Sequence, residues 1–565
     1  MKNLAFIIST IAIIGLSFVT YPAISQTKIN NNRHTHNETP DDAYLPMLAK
    51  DKKTSPAYRH RSSSFFTTQV NIDANGDNIL GDAANEPTIA VDPTNPDRIV
   101  MGWRQFDNVA SNFRQAGYGY SLDGGQTWTF PGVIDAGVFR SDPVLDFDAY
   151  GNFYYNSLTK DANNNYWCNI YKIDNGGVEW DDGTYAHGGD KQWMSIDRTG
   201  GIGDGNIYAS WTSGYSSCEP GFFTRSTNGG FSYEDCEHIP GYPKWGTLAV
   251  GPEGELYSVG QYSYSAIAVN KSISAKDPTM QTSWEQGTVI NTLGYLDMGT
   301  PVNPDGLLGQ AYIDVDNSSG PGRGNVYILA SARKGDVGDV MFARSTEEIT
   351  IWDEAIRIND DTLPGTYQWF GTMSVAPNGR IDAVWLDTRN APSTNIYISE
   401  LYYSYSIDQG VTWSVNEKLS EAFDPHVGWP NQNKMGDYFH MISDDNGAHL
   451  AWANTINGEQ DVYYGYINPW FVGVGDKVGN DFSFINYPNP VRIKTTLRYE
   501  LQQSKKINIS VYNIYGNLVE VITDEIQNAG IHNIVFDACK LANGIYFCKL
   551  TAGSKTETIK LTLVN

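Results

Sequence analysis

Ser121-Leu122-Asp123-Gly124-Gly125-Gln126-Thr127-Trp128 is the stretch on which the fold turns. It returns as Ser406-Ile407-Asp408-Gln409-Gly410-Val411-Thr412-Trp413, and with Asn in place of Asp as Ser226-Thr227-Asn228-Gly229-Gly230-Phe231-Ser232-Tyr233. Ser345 and Trp352 keep the same offset in a degenerate copy. The residue types describe a tight turn joining two strands. Asp or Asn bonds the turn backbone, Gly supplies a positive φ, and Trp packs between sheets. These stretches therefore read as turn stabilisers rather than as chemistry.

Around them runs a longer period. Seven apolar strands begin at Glu86, Asp142, Lys191, Trp245, Gln310, Phe370 and Asp437 and end at Asp92, Asp148, Asp197, Gly251, Asp316, Ala376 and Ser443. They recur at intervals of roughly sixty residues, each followed by a turn and a second strand. Near-continuous apolar runs belong to strands buried on both faces. Seven such units, each with a further hairpin, predict a seven-bladed β-propeller with four strands per blade. A six-bladed propeller is the alternative.

The Ser-x-Asp-x-Gly-x-Thr-Trp copies resemble the Asp-box, or BNR repeat, of the sialidase superfamily. The resemblance covers residues 64–472 and implies a propeller of sialidase type. Sialidases hold the sugar carboxylate with an arginine cluster and use an acid/base Asp with a Tyr–Glu pair. This chain departs from that pattern. The family's F/Y-R-I-P motif is absent, and Phe139-Arg140-Ser141-Asp142-Pro143 matches it only loosely.

Composition fits an all-β chain. It has 565 residues with 55 Gly, 35 Tyr, 22 Phe and 15 Trp, and only 18% are charged. The net charge of −25 argues against a nucleic-acid partner and against docking on anionic lipid. The 41% hydrophobic content is enough for a large core.

The ends speak of export. Met1-Lys2-Asn3, the apolar run Leu4 to Val19 and the small residues Ala23 and Ser25 read as a signal peptide over 1–25. Residues 26–63 read as a flexible polar segment, or one removed on maturation. Residues 473–481 read as a linker. Beyond it, strand-like runs predict a small antiparallel β-sandwich over 482–565. This module resembles the type A sorting domain of the type IX secretion system through Tyr487-Pro488-Asn489-Pro490, Val511-Tyr512-Asn513 with Gly516, and Leu541-Ala542-Asn543-Gly544-Ile545-Tyr546. That resemblance implies passage through the periplasm, recognition by the translocon through residues 482–565, and a secreted or outer-membrane-surface protein. No transmembrane segment is expected once the signal is cleaved.

Export permits disulfides. Cys218 with Cys236 and Cys539 with Cys548 are plausible pairs, which leaves Cys168 odd. No CxxC is present, so a structural zinc site is not expected.

The repeat register also predicts a site. The first inner-strand residues should face one another at one channel mouth. Glu86, Asp142 and Asp437 would form an acidic arc there, as candidate catalytic carboxylates whose crowding raises a pKa. Lys191 and Trp245 lie at the same level, and Arg104, Arg140, Arg333 and Arg389 are candidate substrate-binding residues, able to clamp a carboxylate. The same residues could instead pair across blades. Asp73-Ala74-Asn75-Gly76-Asp77 spaces Asp73, Asn75 and Asp77 as candidate ligands of a structural Ca²⁺; no cofactor is otherwise required. Three functions follow: a propeller that recognises glycans or glycoproteins, with or without hydrolysing them, a sialidase-type glycoside hydrolase, or a non-enzymatic surface protein binding protein partners.

Overall fold

The computed structural model of the chain describes residues 41–47, 52–469 and 484–564, apart from a few scattered positions. The predicted signal peptide and the 473–481 linker lie outside the described residues. The fold is all β, with one three-residue 3₁₀ turn at Ser213–Tyr215 among the described residues.

Seven antiparallel sheets follow one another over the described part of the propeller. The first blade comprises Ala83–Val91, Ile99–Phe106, Gln115–Ser121 and Thr129–Ile134, hydrogen-bonded in that order. The inner strands of the next six are Ser141–Phe147, Trp193–Ile196, Leu248–Val250, Ala311–Val315, Gln368–Val375 and His440–Ser443. Each inner strand packs on the next, and the seventh packs on the first, so the sheets form a closed ring. Every residue of Ala83–Val91 is buried, whereas the outer strand Thr129–Ile134 has one fully buried position. That gradient is why the inner strands read as apolar runs.

The ring is closed by the N-terminal side of the chain. Phe65–Gln69 pairs antiparallel with Asp461–Ile467, from Phe65 opposite Ile467 to Gln69 opposite Tyr463. Arg59–Arg61 adds a fifth strand outside it, and Lys53–Pro56 pairs with Asp77–Leu80. The reading of 26–63 as a flexible segment therefore needs correction in its second half. These short polar strands carry no apolar period, and only their partners make them strands.

Side chains stitch neighbouring blades. At six of the seven junctions an inner-strand side chain accepts a hydrogen bond from the next inner strand's N–H. The pairs are Thr88 from Leu145 (3.2 Å), Asp146 from Ile196 (2.8 Å), Thr247 from Ile313 (2.9 Å), Asp314 from Val375 (2.7 Å), Ser374 from Ser443 (3.0 Å) and His440 from Ile89 (3.3 Å). Buried amides facing a neighbouring blade need such acceptors.

The Ser-x-Asp turns share one bonding scheme. The Gly125 N–H donates to Ser121 Oγ (2.8 Å), and the Thr127 N–H and hydroxyl donate to Asp123 (2.9 and 2.7 Å). Ser406, Asp408, Gly410 and Thr412 repeat it, as do Ser226, Asn228, Gly230 and Ser232 for the backbone bonds. Gly125 has φ +84°, and a Cβ there would lie 2.2 Å from the Tyr464 ring of the preceding blade. Trp128 packs on that same ring at 5.4 Å. The turn is thus an inter-blade wedge.

The C-terminal module has two sheets. One orders Phe484–Tyr487, Lys494–Leu501 and Gly530–Asp537; the other orders Leu518–Gln527, Lys505–Asn513, Gly544–Ala552 and Lys555–Leu563. Its core includes Leu497, Tyr499, Ile507, Ile509, Val511, Leu550 and Leu561. The propeller carries the Cys218–Cys236 disulfide. The pairing of Cys539 with Cys548 does not occur. Cys548 points into the sandwich core, while Cys539 is exposed just after its strand. Cys168 is free and buried.

Candidate functional site

The repeat register maps onto a ring of unusual backbone. Glu86, Asp142, Lys191, Trp245 and Phe370 all adopt positive φ, between 48° and 59°. Gln310 and Asp437 instead follow Gly309 and Gly436, which take the positive φ for them. The inner strands bulge there: pairing slips between Asn85 and Thr88, and between Trp369 and Thr372. Left-handed backbone in charged and aromatic residues stores strain, and surrounding contacts must hold it.

Five of the predicted residues come together. Lys191 Nζ lies 2.7 Å from Asp437 and 3.4 Å from Asp142. Glu86 lies 3.2 Å from Arg104 Nε. Lys434, which sequence reasoning missed, completes the cluster at 2.8 Å from Asp437 and 3.7 Å from Glu86. Three acids thus meet three bases, and all six side chains are within 2% of full burial. Burial pushes Glu86 up to about 8 against the pull of Arg104. At Asp142 burial also disfavours charge, but Lys191 and Arg104 override it and hold the carboxyl below its ordinary range.

The cluster is sealed by an insertion between the fourth and fifth blades. The hairpin Met298–Thr300 and Asn303–Leu307 lies against the stretch before the seventh inner strand. The Leu307 N–H donates to Asp437 (2.8 Å), Asn303 donates to the Gly436 carbonyl (2.9 Å), and the Met435 N–H donates to Asn303 (2.9 Å). The long interval between Gly251 and Asp316 was the sequence signal for this hairpin. Below the cluster, aromatic rings fill the channel. Trp193 meets Tyr312, Tyr438 and His440 edge-on, at 5.7, 5.7 and 5.3 Å.

The four arginines do not converge. Arg104 faces Glu86, Arg140 pairs with Asp135 (2.8 Å) and Arg333 with Asp297 (3.0 Å). Arg389 pairs with Asp387 (2.8 Å) and Asp360 (2.5 Å). They stay apart because each guanidinium has an acid on its own or an adjoining segment. Trp245 is buried, with Lys244 Nζ 4.0 Å above its ring.

The Asp73–Asp77 stretch closes on itself. Asp73 Oδ1 accepts the N–H groups of Asn75 (2.8 Å) and Asp77 (3.0 Å), and Oδ2 accepts the Asn75 amide (3.1 Å). These bonds make the stretch an Asx turn. His187, Cys218 and Cys236 lie close together, but the two sulfurs are bonded to each other.

Exposed rings stand elsewhere. Tyr185, Tyr242 and Tyr262 are 50%, 52% and 46% exposed. They belong to the second, third and fourth blade units, at the ends that lead into or return from the channel mouth. Tyr242 stacks on Phe222 at 5.4 Å and on His238 at 6.0 Å, and Gly241 packs beneath Tyr262. The Cys218–Cys236 disulfide clamps the segment that carries Phe222.

A propeller with a sorting module is therefore the class that fold and sequence define. Residues 486–564 match the model of the secretion system C-terminal sorting domain. The chain is accordingly marked for export by the type IX system, to the cell surface or the medium. No helix among the described residues is long and apolar enough to cross a membrane. No curated protein matches the chain. Several solved structures are similar. One is a protein of unknown function from Dyadobacter fermentans DSM 18053, at 13% identity and TM-score 0.39, covering 72% of this chain and 98% of its own. The Hadza microbial sialidase Hz136 gives 11% and 0.36, covering 68% and 66%. Trypanosoma rangeli sialidase with the inhibitor DANA gives 10% and 0.33, covering 89% of each.

Proposed function

We propose that the mature chain is an exported propeller that recognises glycans or glycoproteins by stacking and does not hydrolyse them. The exposed tyrosines around the disulfide-clamped segment carry this reading. An aromatic face is apolar with a polar rim, which suits the C–H-rich face of a sugar. Held rings also lose little conformational entropy on binding. The acidic background then poses no conflict, since a neutral sugar needs no concentrated positive charge.

Hydrolysis through Asp142, Glu86 and Asp437 is the second reading. One feature favours it: burial raises Glu86 to about 8, while Lys191 and Arg104 hold the buried Asp142 below the usual carboxylate range. Paired carboxylates pushed apart in pKa are what acid/base glycosidases use. The burial of the cluster weighs against it, because a sugar would have to displace the 298–307 hairpin to reach these groups. Incubation of the full mature chain with a fluorogenic sialoside and a panel of aryl glycosides tests the choice. The binding reading expects no release above a buffer blank; turnover that vanishes in Asp142→Asn would replace it with the hydrolytic one.

A further inference from the structure

The segment ahead of the propeller occupies a made-to-measure groove. Asp41 pairs with Arg114 Nη1 at 2.6 Å and with Lys160. The next residue is read by backbone and side chain together. The Asp42 N–H donates to Asn112 Oδ1 (2.7 Å), while Asp42 Oδ2 accepts the Asn112 N–H (2.9 Å) and the Asn431 amide (3.0 Å). Ser111 donates to the Ala43 carbonyl (3.4 Å). Tyr44 packs at a tilt on Phe113, with ring centroids 5.3 Å apart, and donates its hydroxyl to Asp107 (2.9 Å).

The groove is built, not incidental. Arg114 is 2% exposed, its Nε donates to Ser141 (3.2 Å), and its guanidinium lies over the Phe139 ring at 4.7 Å. Lys160 Nζ lies over that same ring at 4.9 Å. A buried Arg beside a partly buried Lys binds an anion, and Arg fixes its geometry. No apolar period marks this stretch, which is why the sequence reads it as a flexible polar segment.

The geometry points to a peptide-binding groove on the first two blades, specific for an extended partner segment with two adjacent carboxylates and a tyrosine two residues on, which Asp41–Tyr44 fills in cis. This does not rest on the glycan reading, since no residue is shared between the two surfaces. The tethered segment competes at high effective concentration, so a partner binds only in proportion to the fraction of open groove.

The test uses the full mature chain and a fluorescent peptide of residues 41–47, followed by anisotropy. Asp41→Asn with Asp42→Asn weakens the tether and leaves the groove intact. That chain should bind the peptide about tenfold or more tightly than wild type. Adding Arg114→Met, or Lys160→Gln should the former alter the melting curve, should abolish the gain. A peptide with both Asp residues as Asn should not bind. Equal uptake by wild type and the double variant, uptake insensitive to Arg114 and Lys160, or conversion to dimers without peptide uptake would each overturn the proposal.

Discussion

Lys191 and Asp437 meet at 2.7 Å from the third and seventh blades, which are not neighbours in the ring. The contact therefore ties opposite sectors of the propeller through its channel. Arg104, Lys434, Glu86 and Asp142 balance the two charges, and the 298–307 hairpin keeps water out.

Removing one member should be costly. Lys191→Met leaves Asp437 and Asp142 buried with less compensation, and breaking a buried pair costs about 3–5 kcal/mol. Denaturant unfolding measures this. The double variant Lys191→Met/Asp437→Leu should lose less than the sum of the singles. A single variant as stable as wild type would show the cluster is not structural.

Two glycines of the Ser-x-Asp turns should differ. Gly125→Ala meets both a positive φ and the Tyr464 ring at 2.2 Å, whereas Gly229→Ala at φ +69° meets open space. The first should cost about 2–4 kcal/mol, the second about 1 kcal/mol. Equal costs in thermal unfolding would dismiss the wedge.

His440 should impose an acid limit. Its ring is partly buried and accepts the Ile89 N–H, and desolvation lowers its pKa from 6.5 to about 3. The unfolded chain takes up a proton below about 6.5 that the folded chain refuses, so this contribution is lost as pH falls from 6.5 towards 3. Asp314, raised by burial to about 6, works in the opposite sense between 3.8 and 6. Comparing His440→Asn with wild type isolates the histidine: the variant's stability should fall less from pH 7 to pH 4. Parallel profiles would contradict a ring held neutral by its surroundings.

Thiol counting checks the cysteines. Without reductant, the folded chain should react rapidly at Cys539 alone, and the denatured chain at Cys168, Cys539 and Cys548. Reducing Cys218–Cys236 should lower stability by about 2–4 kcal/mol. A single reactive thiol after unfolding would mean that a second disulfide exists.

Much of this was legible because it repeats. The apolar inner strands placed Glu86, Asp142, Lys191 and Asp437 at one level, and the first three share a positive φ there. What escaped was whatever appears once. Lys434 lies in no repeat position, and the hairpin Met298–Leu307 announced itself only as a longer interval. The strands at Lys53–Pro56 and Arg59–Arg61 are polar and exist because distant partners pair with them. The arginines looked like a cluster because periodicity gives a residue's level in the ring, not which neighbouring acid its side chain meets.

The most direct measurement of the central claim is a glycan array probed with the mature chain and with its Tyr242→Ala/Tyr262→Ala variant, both checked for folding. Stacking on these rings predicts saturable binding by wild type that the variant loses by about tenfold or more. A blank array from folded wild type, or undiminished binding by the variant, would contradict it.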